Sequence, residues 1–174
     1  MTPIGQPESA TQTRVIALFR DELGYRYLGD WTARPGNDNI EGGLLDAWLK
    51  RSGYSHAQVI AALHRLRTEA TNHNRTLYAN NQAVYKLLRY GIDVKLAAHE
   101  KTTTVRLIDW THPDKNDFAI AQEVTLKGGH ERRPDLVLYV NGIAIGVLEL
   151  KNSRKSIGEG IRQNRSNQEP EFNA

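Results

Sequence analysis

Hydrophobic positions in the first half of the chain recur at helical intervals. Between Thr11 and Leu23, Val15, Ile16, Phe19 and Leu23 form one stripe, which predicts a helix closed by Gly24. Tyr25 to Leu28 predicts a short strand, and the Gly-, Asn-, Asp- and Pro-rich stretch from Asp30 to Gly43 a loop. Leu44 to Lys50 predicts a short helix ending before Gly53. Ser55 and Gln58 have capping-box spacing, with Val59, Ile60, Leu63 and Leu66 following at helical period. A further helix is expected from about Gln82 to Tyr90, stopped by Gly91. Trp31, Trp48 and Trp110 read as packing residues; Tyr78, Tyr85 and Tyr90 read as helix-face packing residues, with stacking on bases as the alternative.

The second half changes to short apolar runs. Ile92–Leu96, Thr103–Trp110, Phe118–Leu126, Leu136–Val140 and Ile143–Leu150 predict strands, with a turn over residues 111–116. Asn141-Gly142 between the last two is a strong hairpin signal. Residues 156–167 are polar and carry Ile157 and Ile161 four apart, as a helix would. The expected class is α/β, a mixed central sheet flanked by helices. Residues 1–174 read as one domain, mainly helical over 1–91 and carrying the sheet over 92–174.

Composition narrows the chemistry. No cysteine is present, which excludes disulfides, thiolate nucleophiles and Cys-ligated zinc. The six histidines lack zinc-like spacing and read as surface or structural residues. No apolar run approaches the roughly 20 residues that span a bilayer, and residues 1–7 do not read as a signal peptide, so a cytoplasmic protein with no membrane partner is expected. A net charge of +3 and a pI near 9.2 permit a polyanionic partner without requiring one.

The stretch from Arg133-Pro134-Asp135 to Glu149-Leu150-Lys151 carries the candidate chemistry. Glu149 and Lys151 are two apart on a predicted strand and share a face, while Leu148 and Leu150 point to the other. Two carboxylates can hold Mg²⁺, which prefers oxygen ligands and keeps several waters. A neighbouring lysine can orient a water or neutralise charge. Hairpin geometry constrains this idea. A two-residue Asn141-Gly142 turn places Asp135 opposite Leu148, on the face away from Glu149. A bulge at Gly142 or near Gly146, or strands that splay apart, would bring the acids to one side. The plain alternative is an ordinary surface Glu–Lys pair on a half-exposed strand.

Arg133-Pro134-Asp135-Leu136-Val137-Leu138, Val140-Asn141-Gly142-Ile143 and Leu148-Glu149-Leu150-Lys151 together resemble the PD-(D/E)xK nuclease core. More narrowly, they resemble the N-terminal nuclease domain of the restriction subunit of type I restriction-modification enzymes. Asp109-Trp110, Asn116-Asp117-Phe118 and Leu23-Gly24-Tyr25 agree with that family. The resemblance implies a restriction-endonuclease-like fold and Mg²⁺-dependent cleavage of double-stranded DNA, with Mn²⁺ able to substitute. Asp135 and Glu149 map to the metal-binding acids, and Lys151 to the catalytic lysine. Glu8 is placed like the family's additional acid; the other reading is a charge favoured by the helix N-terminus. Gln163 matches a supporting position after the core, where Asn167 replaces the family's tyrosine.

Arg154, Lys155, Arg162 and Arg165 follow closely and could contact phosphates, or form a solvated basic face. The family's subunit continues into an ATP-driven translocase and works with modification and specificity subunits. No P-loop motif occurs in these 174 residues, so ATP would be used only by motor domains outside them, and the chain is expected to be an N-terminal fragment. The competing function is a catalytically silent nuclease-like module that grips DNA or docks on a subunit. A weaker one is an unrelated α/β scaffold.

Overall fold

The computed structural model describes residues 8–127 and 131–151, together with positions 158, 161, 162 and 165. Contacts divide the chain into two compact units. The first comprises Met1–Asn39, Phe118–Tyr139 and Ala144–Ala174; the second comprises Ile40–Asp117 and Val140–Ile143.

The first unit is built on a mixed sheet. Helix α1 (Glu8–Ala17) runs into a π-helical turn, Leu18–Glu22, closed by the Leu23 N–H donating to Leu18 O at 3.1 Å. Strand β1 (Arg26–Asp30) follows. After the residues of the second unit come β4 (Phe118–Gln122), the two-residue strands β5 (Leu126–Lys127) and β6 (Glu131–Arg132), and the pair β7 (Leu136–Val140) and β8 (Ile143–Leu148). The sheet order is β1-β4-β7-β8. Strand β1 lies parallel to β4, with a slip between Tyr27 and Asp30 where Gly29 adopts φ +100°. The two-residue connection makes β7 and β8 antiparallel.

Strand β7 is apolar at every position because both of its faces are covered. Val137 and Tyr139 join Trp31, Ala119, Ala121 and Val124 on one side. Leu136 joins Ile16 and Ile120 on the other, with Leu138, Leu148 and Leu150 packed against them.

The second unit holds the helices α2 (Gly42–Arg51), α3 (His56–Ala70) and α4 (Leu77–Tyr90), and a hairpin of β2 (Ile92–Val94) and β3 (Thr103–Val105). Leu45, Leu49, Val59, Ala62, Leu66, Val105 and Leu107 are fully buried there. The capping box expected at Ser55 is formed: its side chain accepts the Gln58 N–H, and Gln58 accepts the Ser55 N–H. Helix α4 begins five residues before the expected Gln82, because Thr76 caps it by accepting the Ala79 N–H at 3.2 Å. Strand β3 is shorter than expected and ends at Val105.

The tyrosines of α4 correct a sequence expectation. Tyr78, Tyr85 and Tyr90 are 77%, 61% and 68% exposed, so they do not pack as core residues. Trp31 and Trp48 are buried as expected; Trp110 is half exposed, its indole N–H donating to Leu88 O at 2.9 Å. Among the described residues, no helix is long and apolar enough to cross a membrane.

The Asn141-Gly142 turn has positive φ at both residues, 53° and 84°, as a type I′ turn requires. Asn141 is wholly buried within the second unit. It accepts the Asp117 N–H at 2.7 Å and donates to Leu107 O at 2.9 Å and Asn116 Oδ1 at 2.8 Å. A Cβ at Gly142 would stand 2.7 Å from Leu44 Cβ and 2.8 Å from Glu41 O. Gly142→Ala therefore meets both a backbone penalty and backbone atoms that cannot yield. We expect it to lower unfolding stability by about 2 kcal/mol or more, read from the urea midpoint.

Candidate active site

The turn settles one register question and opens another. A regular two-residue hairpin would put Asp135 and Glu149 on opposite faces of the sheet. The alternation along β8, however, is broken. Ala144 packs with the Trp31–Tyr139 cluster, whereas Leu148 and Leu150, at the same parity, pack with Ile16 and Leu136. A Cβ at Gly146 would lie 4.0 Å from that of Leu138, which belongs to the second face. The side-chain alternation thus slips by one residue between Ala144 and Gly146. Of the three arrangements the sequence allowed, the irregularity near Gly146 is present and a bulge at Gly142 is not.

The slip brings the carboxylates together just past the paired segments. Asp135 precedes β7, and its Oδ2 accepts the Leu150 N–H at 2.6 Å. Lys151 Nζ donates to Glu149 Oε1 at 3.0 Å and lies 3.8 Å from Glu8 Oε1, at the first residue of α1. The Glu149 side chain is only 3% exposed and that of Lys151 15%, which removes the surface-pair reading. Glu8 opens the helix and also places its carboxylate beside Lys151. Three carboxylates thus gather around one ammonium.

Charge follows from this crowding. Burial raises the Asp135 pKa; the Leu150 N–H and Lys151 pull it down, but Glu149 and Glu8 add to the rise and the net shift is upward. Burial alone would lower the Lys151 pKa. Its hydrogen bond to Glu149, and the charges of Glu149, Asp135 and Glu8, outweigh burial and hold it above the ordinary lysine value. Lys151 is therefore an ammonium at neutral pH. As an ammonium it can donate hydrogen bonds to a water or a phosphoryl oxygen.

Two residues that the sequence did not single out brace Asp135. Glu123 directly follows β4 with φ 51°, a left-handed conformation that is uncommon for glutamate and costs about 1 kcal/mol or more. From that position its N–H donates to Asp135 O at 2.9 Å, and its carboxylate pairs with Arg133 at 3.0 Å. Gln12 Nε2 bridges Glu123 Oε1 at 3.0 Å and Asp135 O at 3.2 Å. The main chain of Asp135 is thereby held from two elements. No local pattern announces a left-handed glutamate, and Gln12 is one polar residue on an amphipathic helix.

The donor set is hard oxygen. Among the described residues no three His, Cys, Asp or Glu side chains are arranged to hold a metal between them. Mg²⁺ makes no such demand: it is commonly held by one or two carboxylates, with water and substrate phosphates completing its shell. Asp135 and Glu149 fit that pattern. Of the other sequence candidates, Arg162 is helical and exposed, while Arg154, Lys155, Gln163 and Asn167 lie outside the described residues.

Comparison with known proteins bears on this arrangement. The family model described as the type I restriction enzyme R protein N terminus matches residues 5–174. The HindI endonuclease subunit of a type I restriction enzyme from Haemophilus influenzae is 38% identical over 80 residues, 44% of this chain and 8% of that protein. The MjaIXP endonuclease subunit from Methanocaldococcus jannaschii is 31% identical over 101 residues, 55% of this chain and 10% of that protein. A second subunit from that organism, MjaVIIP, is 41% identical over 79 residues, 44% of this chain and 7% of its own. The matched segment thus spans a tenth or less of these relatives.

Two outcomes follow from the cluster itself. Asp135→Asn keeps an acceptor for the Leu150 N–H and removes a charge that burial disfavours. The native state with its raised Asp135 pKa binds more protons than the unfolded chain, so its stability falls as pH rises from the ordinary carboxyl pKa through the raised value. The variant should lack that loss and melt about 1–3 °C higher at pH 7 without added metal, by calorimetry. Gln12→Ala should instead cost about 1 kcal/mol, by urea denaturation.

Proposed function

This chain belongs to the family of type I restriction enzyme R protein N termini, and we propose that it is a PD-(D/E)xK-type, Mg²⁺-dependent endonuclease domain that hydrolyses phosphodiester bonds of double-stranded DNA. It would act within an ATP-dependent complex with modification and specificity subunits, the ATP being used by motor domains outside these 174 residues. The observation that carries the reading is the partly buried gathering of Asp135, Glu149 and Glu8 around Lys151. A net-negative, partly buried cluster is costly for folding alone and well suited to a divalent cation.

Asp135 and Glu149 would hold the ion. When bound, Mg²⁺ lowers the pKa of a coordinated water and stabilises charge on the phosphoryl oxygens. The remaining work falls to the chain. Leu150 N–H fixes one oxygen of Asp135, and Gln12 and Glu123 fix its backbone. Lys151 aims Glu149 and offers its remaining protons to the attacking water or to a nonbridging oxygen, where negative charge grows during attack. These parts are position and charge, which phosphodiester hydrolysis requires.

The test uses the assembled restriction complex, ATP and supercoiled plasmid. Glu149→Ala and Lys151→Ala should each lower the rate of linearisation about a hundredfold or more while DNA binding persists, and chelation of Mg²⁺ should abolish cutting. Undiminished cutting by either variant removes the proposed site. Binding without cutting in the wild-type complex would leave the silent, DNA-gripping module as the better description.

A further inference from the structure

The second unit contains a cleft of about 430 Å³ walled by Trp48, Arg51, Tyr54, Arg106, Asp109 and Lys115. Its cations come from three separate places: the last residue of α2, the residue after β3, and the 3₁₀ turn Pro113–Lys115. The walls are tied together. Trp48 donates its indole N–H to Lys115 O at 3.0 Å, and the Tyr54 hydroxyl accepts the Arg106 N–H at 3.0 Å. The one acid in the lining is committed to its own loop. Asp109 Oδ1 accepts the N–H groups of Thr111 at 3.0 Å and His112 at 2.9 Å, and the His112 N–H, ahead of the other interactions, holds its pKa down. Three fixed positive charges and one carboxylate line the cleft, and a concave wall focuses their field.

We propose that this cleft is a second DNA contact, which takes backbone phosphates of duplex DNA. It rests on the reading of this chain as one that acts on DNA, but it does not depend on cleavage. Arg51 and Arg106 supply forked guanidinium donors and Lys115 a point charge, the groups that engage phosphates. Duplex phosphates are preferred over a free nucleotide because the aromatic groups here serve as walls: Trp48 is buried with its N–H engaged, and Tyr54 is held through its hydroxyl.

The test is duplex binding in chelator, where no cutting occurs, by fluorescence anisotropy from about 50 to 200 mM salt. Arg51→Gln, Arg106→Gln and Lys115→Gln combined should weaken binding at least about thirtyfold and reduce the salt slope by about 2.7, the release expected from three phosphate contacts. A control with the same charge change elsewhere in the second unit, Lys50→Gln, Arg65→Gln and Lys86→Gln, should weaken it far less. The charge-keeping set Arg51→Lys, Arg106→Lys and Lys115→Arg should restore most of the affinity, which shows that the fold is intact. Equal losses for the cleft and control triples overturn the proposal. So does a cleft that saturates with inorganic triphosphate while the cleft triple binds duplex normally. Cleft-dependent binding by a wild type that never cuts would uphold this site and reject the nuclease reading.

Discussion

A single ammonium, Lys151, lies among three carboxylates, and burial makes the charge of one of them, Asp135, expensive to keep. Acids drawn into a half-buried corner crowd one another, and one lysine cannot balance all three. The surrounding fold acts to hold the corner against that crowding. Leu150 turns its N–H away from strand pairing and toward Asp135, Gln12 and Glu123 grip the Asp135 carbonyl, and Arg133 balances Glu123. The left-handed backbone at Glu123 belongs with this arrangement, since its N–H reaches Asp135 only by leaving the line of β4. Such strain is commonly found where geometry serves chemistry.

Much of this was legible in the sequence because the signals were short-range. Periodicity over 11–23 and 44–50 and the cap at Ser55 pointed to the helical segments observed over 8–22, 42–51 and 56–70, and the Asn-Gly pair to the turn between β7 and β8. The Glu-x-Lys spacing placed two site residues on one face without any knowledge of the rest. What escaped was non-local. A glycine at position 146 on an edge strand has several ordinary uses, so the residue alone does not decide where the alternation slips. The first turn of α4 carries no apolar stripe, since Tyr78, Asn80 and Asn81 interrupt it; the cap at Thr76 holds that turn in place and Asn80 donates to Asn72 O at 3.0 Å.

The exposed tyrosines of α4 and the basic cleft illustrate a related limit. An aromatic residue at helical spacing is ordinarily a core residue, and only the fold tells which side of the helix meets solvent. Arg51, Arg106 and Lys115 are spread over 65 positions and form no run of charge; they converge because α2, the end of β3 and a short 3₁₀ turn happen to meet. Net charge, at +3, conceals such a concentration.

The displaced alternation at Gly146 also decides which changes of length the corner would tolerate. Loss of one residue between Ala144 and Gly146 would restore regular pairing with β7 and set Glu149 directly opposite Asp135, with both acids still on one face. Regular pairing without that loss would set Leu148 opposite Asp135 and turn Glu149 to the other side of the sheet. The count of residues between the two acids therefore does not by itself decide whether they meet; the local pairing of β8 with β7 does.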